Sequence, residues 1–227
     1  LGTSTIELSG PRAEQFELRQ LKAALPKHHR PEGPKPNPFL PWDSQLEVER
    51  IHNNHVLILN KYPVERGHML LITQDWASQI HWLTLDDWRA LVQVDNDSTG
   101  LWFFNSGPRA GASQPHRHLQ LLPRAPGQRI CPRLSWFTER LLMPAVSTGD
   151  GQISDPLVDS CVIAERPLSS NPDDQGIILH DLYRSLAWQL GLGDRSTQQP
   201  PAVPYNLLLT QSWMALIKRS QDQVRGF

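Results

Sequence analysis

Cysteine is nearly absent: Cys131 and Cys161 are the only two in 227 residues. Two lone cysteines make neither a disulfide framework nor a CxxC zinc site. They read as reduced thiols of a cytoplasmic protein. No run of about 18 apolar residues occurs, so no transmembrane helix is expected. The opening stretch LGTSTIELSGPRAEQFELRQ lacks the apolar segment of a signal peptide. There is no charge excess either: Lys plus Arg number 22 and Asp plus Glu 23, a net charge of 22 − 23 = −1. A nucleic-acid coat or an electrostatic membrane binder needs a basic surplus. Neither nucleic acid nor membrane is therefore an expected partner. No repeat of solenoid period is present.

Proline and tryptophan are abundant instead. Proline is 20 of 227, and tryptophan, at 8, outnumbers Phe (6) and Tyr (3). Six prolines crowd into residues 26–43, PKHHRPEGPKPNPFLPWD. That segment can be neither helix nor central strand, and it is expected to run extended over the surface. Before it, residues 11–25 place Phe16, Leu18, Leu21, Ala24 and Leu25 on neighbouring turns, which predicts an amphipathic helix. HVLILN (55–60) and HMLLIT (68–73) flank a turn-forming KYPVERG and read as two antiparallel strands. Thr84 and Asp87 form a capping box that opens a helix over 85–94. Further strands are predicted at 101–105, 116–122, 160–164, 205–210 and 213–217, and further helices at 134–142 and 176–191. Residues 106–115, 144–159 and 193–204 read as loops. Strands and helices intermix without a βαβ rhythm, so the class is α+β with an antiparallel sheet flanked by helices. Trp76, Trp82, Trp88 and Trp102 sit at element boundaries and read as packing residues.

The chemistry concentrates in NSGPRAGASQPHRHLQLL, residues 105–122. Alternate side chains of a strand share a face. His116, His118 and Gln120 therefore share one face, and Arg117, Leu119 and Leu121 the other, mostly core, face. Just upstream, consecutive backbone N–H groups of a small-residue loop can cradle phosphate oxygens. A neutral imidazole is a good nucleophile near pH 7. The pattern suggests attack by histidine on phosphorus, giving a phosphoramidate that a second acceptor opens. The other ring nitrogen must then be held by an acceptor. Gln120 can donate N–H bonds to the phosphoryl oxygens, where charge spreads. Its amide cannot act as a general acid, as a third histidine could. The same HxH also reads as a zinc pair, with His52, His55, His28 or His29 as further ligands. His68, after the turn Gly67, reads as a hydrogen-bonded structural residue. His81 and His180 have no partner in the sequence.

HRHLQ resembles the signature of the histidine-triad superfamily, in the transferase branch where Gln replaces the third histidine. The longer string NSGPRAGASQPHRHLQLLP is similar to that of the diadenosine tetraphosphate phosphorylase (ATP adenylyltransferase) family. PKPNPFLPWD (34–43), NKYPVERGHMLLIT (60–73) and YNLLLTQSWMALIKR (205–219) resemble further family segments. They occur in the family's order and span nearly the whole chain. The resemblance implies a histidine-triad-like antiparallel sheet flanked by helices. Residues 1–165 would be the nucleotidyltransferase core with its proline-rich N-terminal segment, and 166–227 would complete the same domain. It also implies reversible phosphorolysis: diadenosine tetraphosphate plus phosphate gives ADP and ATP. His118 would be the nucleophile, Gln120 would contact the transferred phosphate, and His116 would complete the catalytic set. Asn105, Gly111, Ala112, Ser113 and Gln114 would bind substrate phosphates. Asn60 and Lys61 match a substrate-binding pair, Lys61 as a point charge. Thr210 and Arg219 match contact positions in the C-terminal signature, and Lys27 a family lysine. No zinc site is expected, and magnesium would come with the polyphosphate. A hexose-1-phosphate nucleotidyltransferase shares HxHxQ but commonly adds a Cys- and His-rich zinc pattern, which this chain does not show. A dinucleoside polyphosphate hydrolase and a non-enzymatic nucleotide sensor are further readings. Three departures stand out. Lys218-Arg219 occupies the place of the family's Pro-Arg, the family continues past this signature, and the helix before LWFFN is short, with the polar run DNDSTG directly after it. Residues outside this numbering are expected before Leu101 and after Phe227.

Overall fold

A computed structural model describes residues 3–6, 18–21, 37–142, 159–194 and 199–220. The first two stretches are strands, β1 (Thr3–Ile6) and β2 (Leu18–Leu21), which pair antiparallel as a two-stranded sheet. The main sheet has eight strands: β3 (Glu47–Ile51), β4 (His55–Leu59), β5 (Met69–Thr73), β6 (Gly100–Asn105), β7 (His118–Pro123), β8 (Cys161–Glu165), β9 (Tyr205–Leu209) and β10 (Trp213–Lys218). Their spatial order is β3-β4-β5-β7-β6-β9-β10-β8, and neighbours run antiparallel throughout. This is the α+β architecture expected from the sequence. Among the described residues, no helix is long and apolar enough to cross a membrane.

Three helices of the described residues have clear local causes or partners. α1 (Leu85–Asn96) opens on the expected capping box. Thr84 Oγ1 accepts from the Asp87 N–H, and Asp87 Oδ2 accepts from the Thr84 N–H at 2.6 Å. α2 (Leu134–Leu142) lies where it was predicted. α3 (Pro172–Gln189) starts four residues before its predicted position of 176. Asn171 caps it through the Asp173 N–H, and Pro172 occupies the first turn, where its missing N–H costs nothing.

Strand alternation divides the core between the two faces of the sheet. Leu57, Leu71, Leu119, Leu121, Trp102 and Phe104 point to the face covered by α1 and α3. Trp88, Leu91, Leu179 and Tyr183 meet them there, all fully or almost fully buried. On the opposite face, α2 covers one end through Phe137, stacked on Trp213. Phe39 covers the other end, against Val56, Ile58, Leu70 and Ile72. Between these two apolar patches, β6, β7 and β9 present polar side chains: Asn105, His118, Gln120 and Asn206. The sheet is therefore covered on one side and open at the middle of the other.

The helix predicted over 11–25 is a strand at Leu18–Leu21, in register Thr3↔Leu21 to Ile6↔Leu18. Helical spacing was real, but β1 is rich in β-branched residues and supplies a backbone partner that a local window does not see. The remainder of 11–25 lies outside the described residues, as do Lys27, His28 and His29. Over its described part the proline-rich segment does lie at the surface, with Pro41 and Asp43 exposed, but it turns at 38–41 instead of running extended and buries Phe39 against the sheet. β3 was missed altogether. Its Val48, Glu49 and Arg50 are exposed, and its pairing with β4 is irregular between Glu47 and Glu49. The regular strand β7 begins at His118, so His116 lies just ahead of it, in an isolated bridge to Ser78.

Candidate active site

The site grows from the start of β7. The His118 main chain is clamped by Gln79, a side chain with no exposed surface. The Gln79 Oε1 accepts from the His118 N–H at 2.8 Å, while its Nε2 donates to the carbonyls of His118 (3.2 Å) and Asn105 (2.7 Å). One amide thus ties the end of β6 to the start of β7. Arg117, between the two histidines, turns to the helix face and pairs with Asp87 at 3.0 Å. Asp87 also accepts from His55 Nε2 at 2.9 Å. Burial raises the Asp87 pKa, but the His55 hydrogen bond and the Arg117 charge outweigh it, and the carboxyl sits below its ordinary value.

Hydrogen-bond partners assign the tautomers. Asn37 Oδ1 accepts from the Phe39 N–H, so Asn37 Nδ2 faces His116 Nδ1 as the donor, at 3.0 Å. His116 Nε2 therefore carries the proton and donates to the Thr73 carbonyl at 2.9 Å. Burial lowers the His116 pKa. The His116 carbonyl accepts from His118 Nδ1 at 2.8 Å. This leaves His118 Nε2 as the nitrogen with a lone pair, and His118 lines a cavity. His118 is only 3% exposed, with the Phe39 ring edge-on at 5.5 Å. Burial pushes its pKa down to about 4, against 6.5 for an ordinary histidine. The neutral, nucleophilic form is thus held well below neutral pH.

That shift has a consequence for stability. A histidine whose folded pKa is depressed binds protons more readily in the unfolded chain, so stability is lost as pH falls from about 6.5 to about 4. The gap is worth about 3 kcal/mol. His118→Gln is expected to flatten this acid limb by about that amount, read from urea midpoints between these pH values. Identical acid limbs in both proteins would contradict the burial of a neutral imidazole.

A cavity of about 680 Å³ opens beside His118. Its apolar lining comes from Phe39, Trp42, Leu46 and Ile58 among others, and its polar lining from Asn60, Lys61, Ser113, Gln114 and Gln120. Lys61 Nζ stands 3.7 Å from Asp43 Oδ2 at the rim, with both side chains well exposed. Gln120 Oε1 faces His68 Nε2 at 3.1 Å. The loop before β7 holds fewer phosphate-ready amides than its sequence suggested. The single 3-10 turn Pro108–Ala110 consumes two of them: the Gly111 N–H donates to Pro108 and the Ala112 N–H to Gly107. Among the described residues, the Ser113 and Gln114 N–H groups have no partner, and both residues line the cavity. Gly107 at φ +126° and Gly111 at φ +95° take conformations that L side chains rarely adopt.

The remaining expected site residues fall in two places. Asn105 does not line the cavity. Its Oδ1 accepts from Asn206 Nδ2 at 2.6 Å, and Asn206 Oδ1 accepts from Arg219 at 3.2 Å. A row of Asn105, Asn206 and Arg219 thus borders the Gly111 loop, with Asn206 also donating to the Ala110 carbonyl. Thr210 is in the β9–β10 turn, beyond the far end of β9 from Asn206. It is buried, and its hydroxyl accepts from the Ser212 and Trp213 N–H groups. Its side chain is used by the turn, not by the cavity. Trp88 and Trp102 are fully buried, as packing residues should be, whereas Trp76 is 55% exposed, edge-on to His116 at 5.4 Å. Gln79, Asn37, Phe39 and Asn206 were missed. Only Asn206 had a signal, a polar residue inside the apolar YNLLL run. Among the described residues, no three or more of His, Cys, Asp and Glu are grouped so as to hold a metal ion. His55, a possible zinc ligand from sequence, is instead turned toward Asp87.

The fold is that of a uridylyltransferase-like sheet. A solved uridylyltransferase structure superposes with TM-score 0.54 over 97% of this chain and 88% of that chain, at 16% identity, a likeness of fold alone. The crystal structure of yeast Ap4A phosphorylase Apa2 in complex with AMP is nearer: TM-score 0.68, 25% identity, 97% of this chain and 73% of that chain. Among curated proteins of Saccharomyces cerevisiae, Protein APA1 is 29% identical over 188 residues, covering 73% of this chain and 54% of its own length. Diadenosine 5',5'''-P1,P4-tetraphosphate phosphorylase 2 is 29% identical over 210 residues, 81% of this chain and 61% of its own length. This chain therefore spans somewhat more than half the length of those two relatives. Residues 14–132 match the Ap4A phosphorylase N-terminal domain, and residues 159–226 match the ATP adenylyltransferase C-terminal domain. The chain belongs to the Ap4A phosphorylase family.

Proposed function

We propose that this protein is a nucleotidyltransferase that phosphorolyses diadenosine tetraphosphate to ADP and ATP. The observation that carries the reading is His118: buried, neutral, with Nδ1 bound to a carbonyl and the lone pair on Nε2, lining a cavity together with Gln120. His118 Nε2 attacks an α-phosphorus of the substrate. A P–N bond forms, the P–O bond to the rest of the polyphosphate breaks, and ATP leaves. An oxygen of inorganic phosphate then attacks the same phosphorus, the P–N bond breaks, and ADP leaves. The apolar side chains of the cavity take a base, and Lys61 with the Ser113 and Gln114 amides takes phosphates. Magnesium comes with the polyphosphate it neutralises. Asn105, Asn206 and Arg219 hold the phosphate-binding loop against the sheet. Two free, buried thiols fit a reducing, cytoplasmic setting.

Incubating the protein with diadenosine tetraphosphate, with and without inorganic phosphate, tests this. ADP and ATP are expected only when phosphate is present. Phosphate-independent cleavage to AMP and ATP, or to two ADP, would make it a hydrolase. Binding without any cleavage would make it a sensor.

A further inference from the structure

Gln120 has a side-chain amide that can present either its oxygen or its NH₂ group to the cavity, and only the NH₂ end can bond a phosphoryl oxygen. The structure contains what decides between them. Asn60 Oδ1 accepts from the Tyr62 N–H at 2.9 Å, so Asn60 Nδ2 is the donor that faces His68 Nδ1 at 3.1 Å. The Val64 N–H also points at His68 Nδ1, at 3.4 Å. With two donors aimed at Nδ1, that nitrogen is an acceptor, and the proton is on Nε2. His68 Nε2 then donates to Gln120 at 3.1 Å, which fixes Gln120 Oε1 toward His68. The Gln120 NH₂ group is then the end turned away from His68, and Gln120 lines the cavity together with His118. His68 is 3% exposed, lies beside the Phe103 ring at 6.0 Å, and its own backbone is bonded to Asn60 and Glu65.

We propose that His68 is a positioning residue, which holds the Gln120 amide with its NH₂ end toward the transferred phosphoryl group. The inference rests on the nucleotidyl-transfer reading of the site. It also links two parts of that site. The loop 60–67, which carries Lys61 to the cavity, sets the His68 tautomer through Asn60 and Val64, and His68 sets Gln120. His68 touches no substrate and moves no proton. Loss of its ring lets the Gln120 amide turn over and present an oxygen to an anionic phosphate, which is repulsive. One oriented donor to a developing oxyanion is worth about 10²–10³ in kcat. A partly disoriented one should cost less, about 10-fold to 10²-fold.

A double-mutant cycle on the full chain, read as kcat and KM for diadenosine tetraphosphate phosphorolysis, tests this. His68→Ala is expected to lower kcat at least about 10-fold with KM little changed. In a Gln120→Ala background the same substitution is expected to cost nothing further, because its only route to the reaction has gone. Equal losses in both backgrounds, or no loss in the first, would overturn the proposal. His68→Gln keeps an N–H near the position of Nε2 and is expected to recover most of the loss. If it is as impaired as His68→Ala while remaining folded, the proposal fails. A second readout needs no turnover. Nitrogen NMR of the wild-type imidazole at neutral pH should show His68 neutral, with the proton on Nε2 and Nδ1 bare. A proton on Nδ1, or a doubly protonated ring, overturns the positioning role even if the protein has another activity. Absence of phosphorolysis together with the expected tautomer overturns only the activity on which the proposal builds.

Discussion

His118→Ala is expected to lower the turnover of diadenosine tetraphosphate by about 10⁴-fold or more, with the chain still folded. The reason lies in what the side chain does. A covalent nucleophile opens a route in two steps, and no neighbouring group can replace it. His116 is next in sequence but is buried with both ring nitrogens engaged, by Asn37 and Thr73. His68 faces Gln120. Neither imidazole offers a free lone pair to the cavity. His118→Asn separates chemistry from architecture, because its amide NH₂ can still donate to the His116 carbonyl as Nδ1 does. It is expected to be as inactive as the alanine variant and closer to wild type in stability. Turnover within about tenfold of wild type in either variant would remove His118 from the reaction.

Asp87→Ala is expected to have the largest effect on stability, a loss of about 3–5 kcal/mol in urea unfolding. Asp87 is 1% exposed and receives His55, Arg117, and both the N–H and hydroxyl of Thr84. Removing it leaves the buried Arg117 guanidinium without its carboxylate and removes the capping box of α1. The unpaired charge is the larger part, since a lost helix cap alone costs about 1 kcal/mol. In an Arg117→Met background, the Asp87→Ala loss should shrink by more than half, because the stranded charge is gone. A loss under about 1 kcal/mol in the wild-type background would show that the cluster is dispensable. Arg117 lies between His116 and His118, so the same cluster seats the strand that carries His118.

The features legible in the sequence were those governed by short-range rules. The period-two pattern of HRHLQLL separated His118 and Gln120 from Leu119 and Leu121, and the sheet places those pairs on opposite faces. The Thr84–Asp87 spacing marked the start of α1. What the sequence did not show depends on distant partners. The Leu18–Leu21 segment has helical spacing but pairs with Thr3–Ile6. Phe39 and Asn37, in a proline-rich stretch, reach across more than 75 residues to the two histidines. Gln79 belongs to no motif, yet it sets the position of the His118 backbone through three hydrogen bonds. The GASQ loop was read as four potential phosphate contacts. Folding spends the Gly111 and Ala112 amides on the 3-10 turn, so of the four only the Ser113 and Gln114 amides are left for the proposed phosphate contacts.

The proposed reaction passes through a phosphoramidate on one particular nitrogen. Mixing the wild-type chain with diadenosine tetraphosphate in the absence of inorganic phosphate, followed by mass spectrometry under mildly alkaline conditions that preserve P–N bonds, measures it directly. The protein is expected to gain one adenylyl group, located on the peptide that contains His118, and to lose it as ADP when phosphate is added. An unmodified protein that nevertheless turns over the substrate, or an adenylyl group on any other residue, would contradict the assignment.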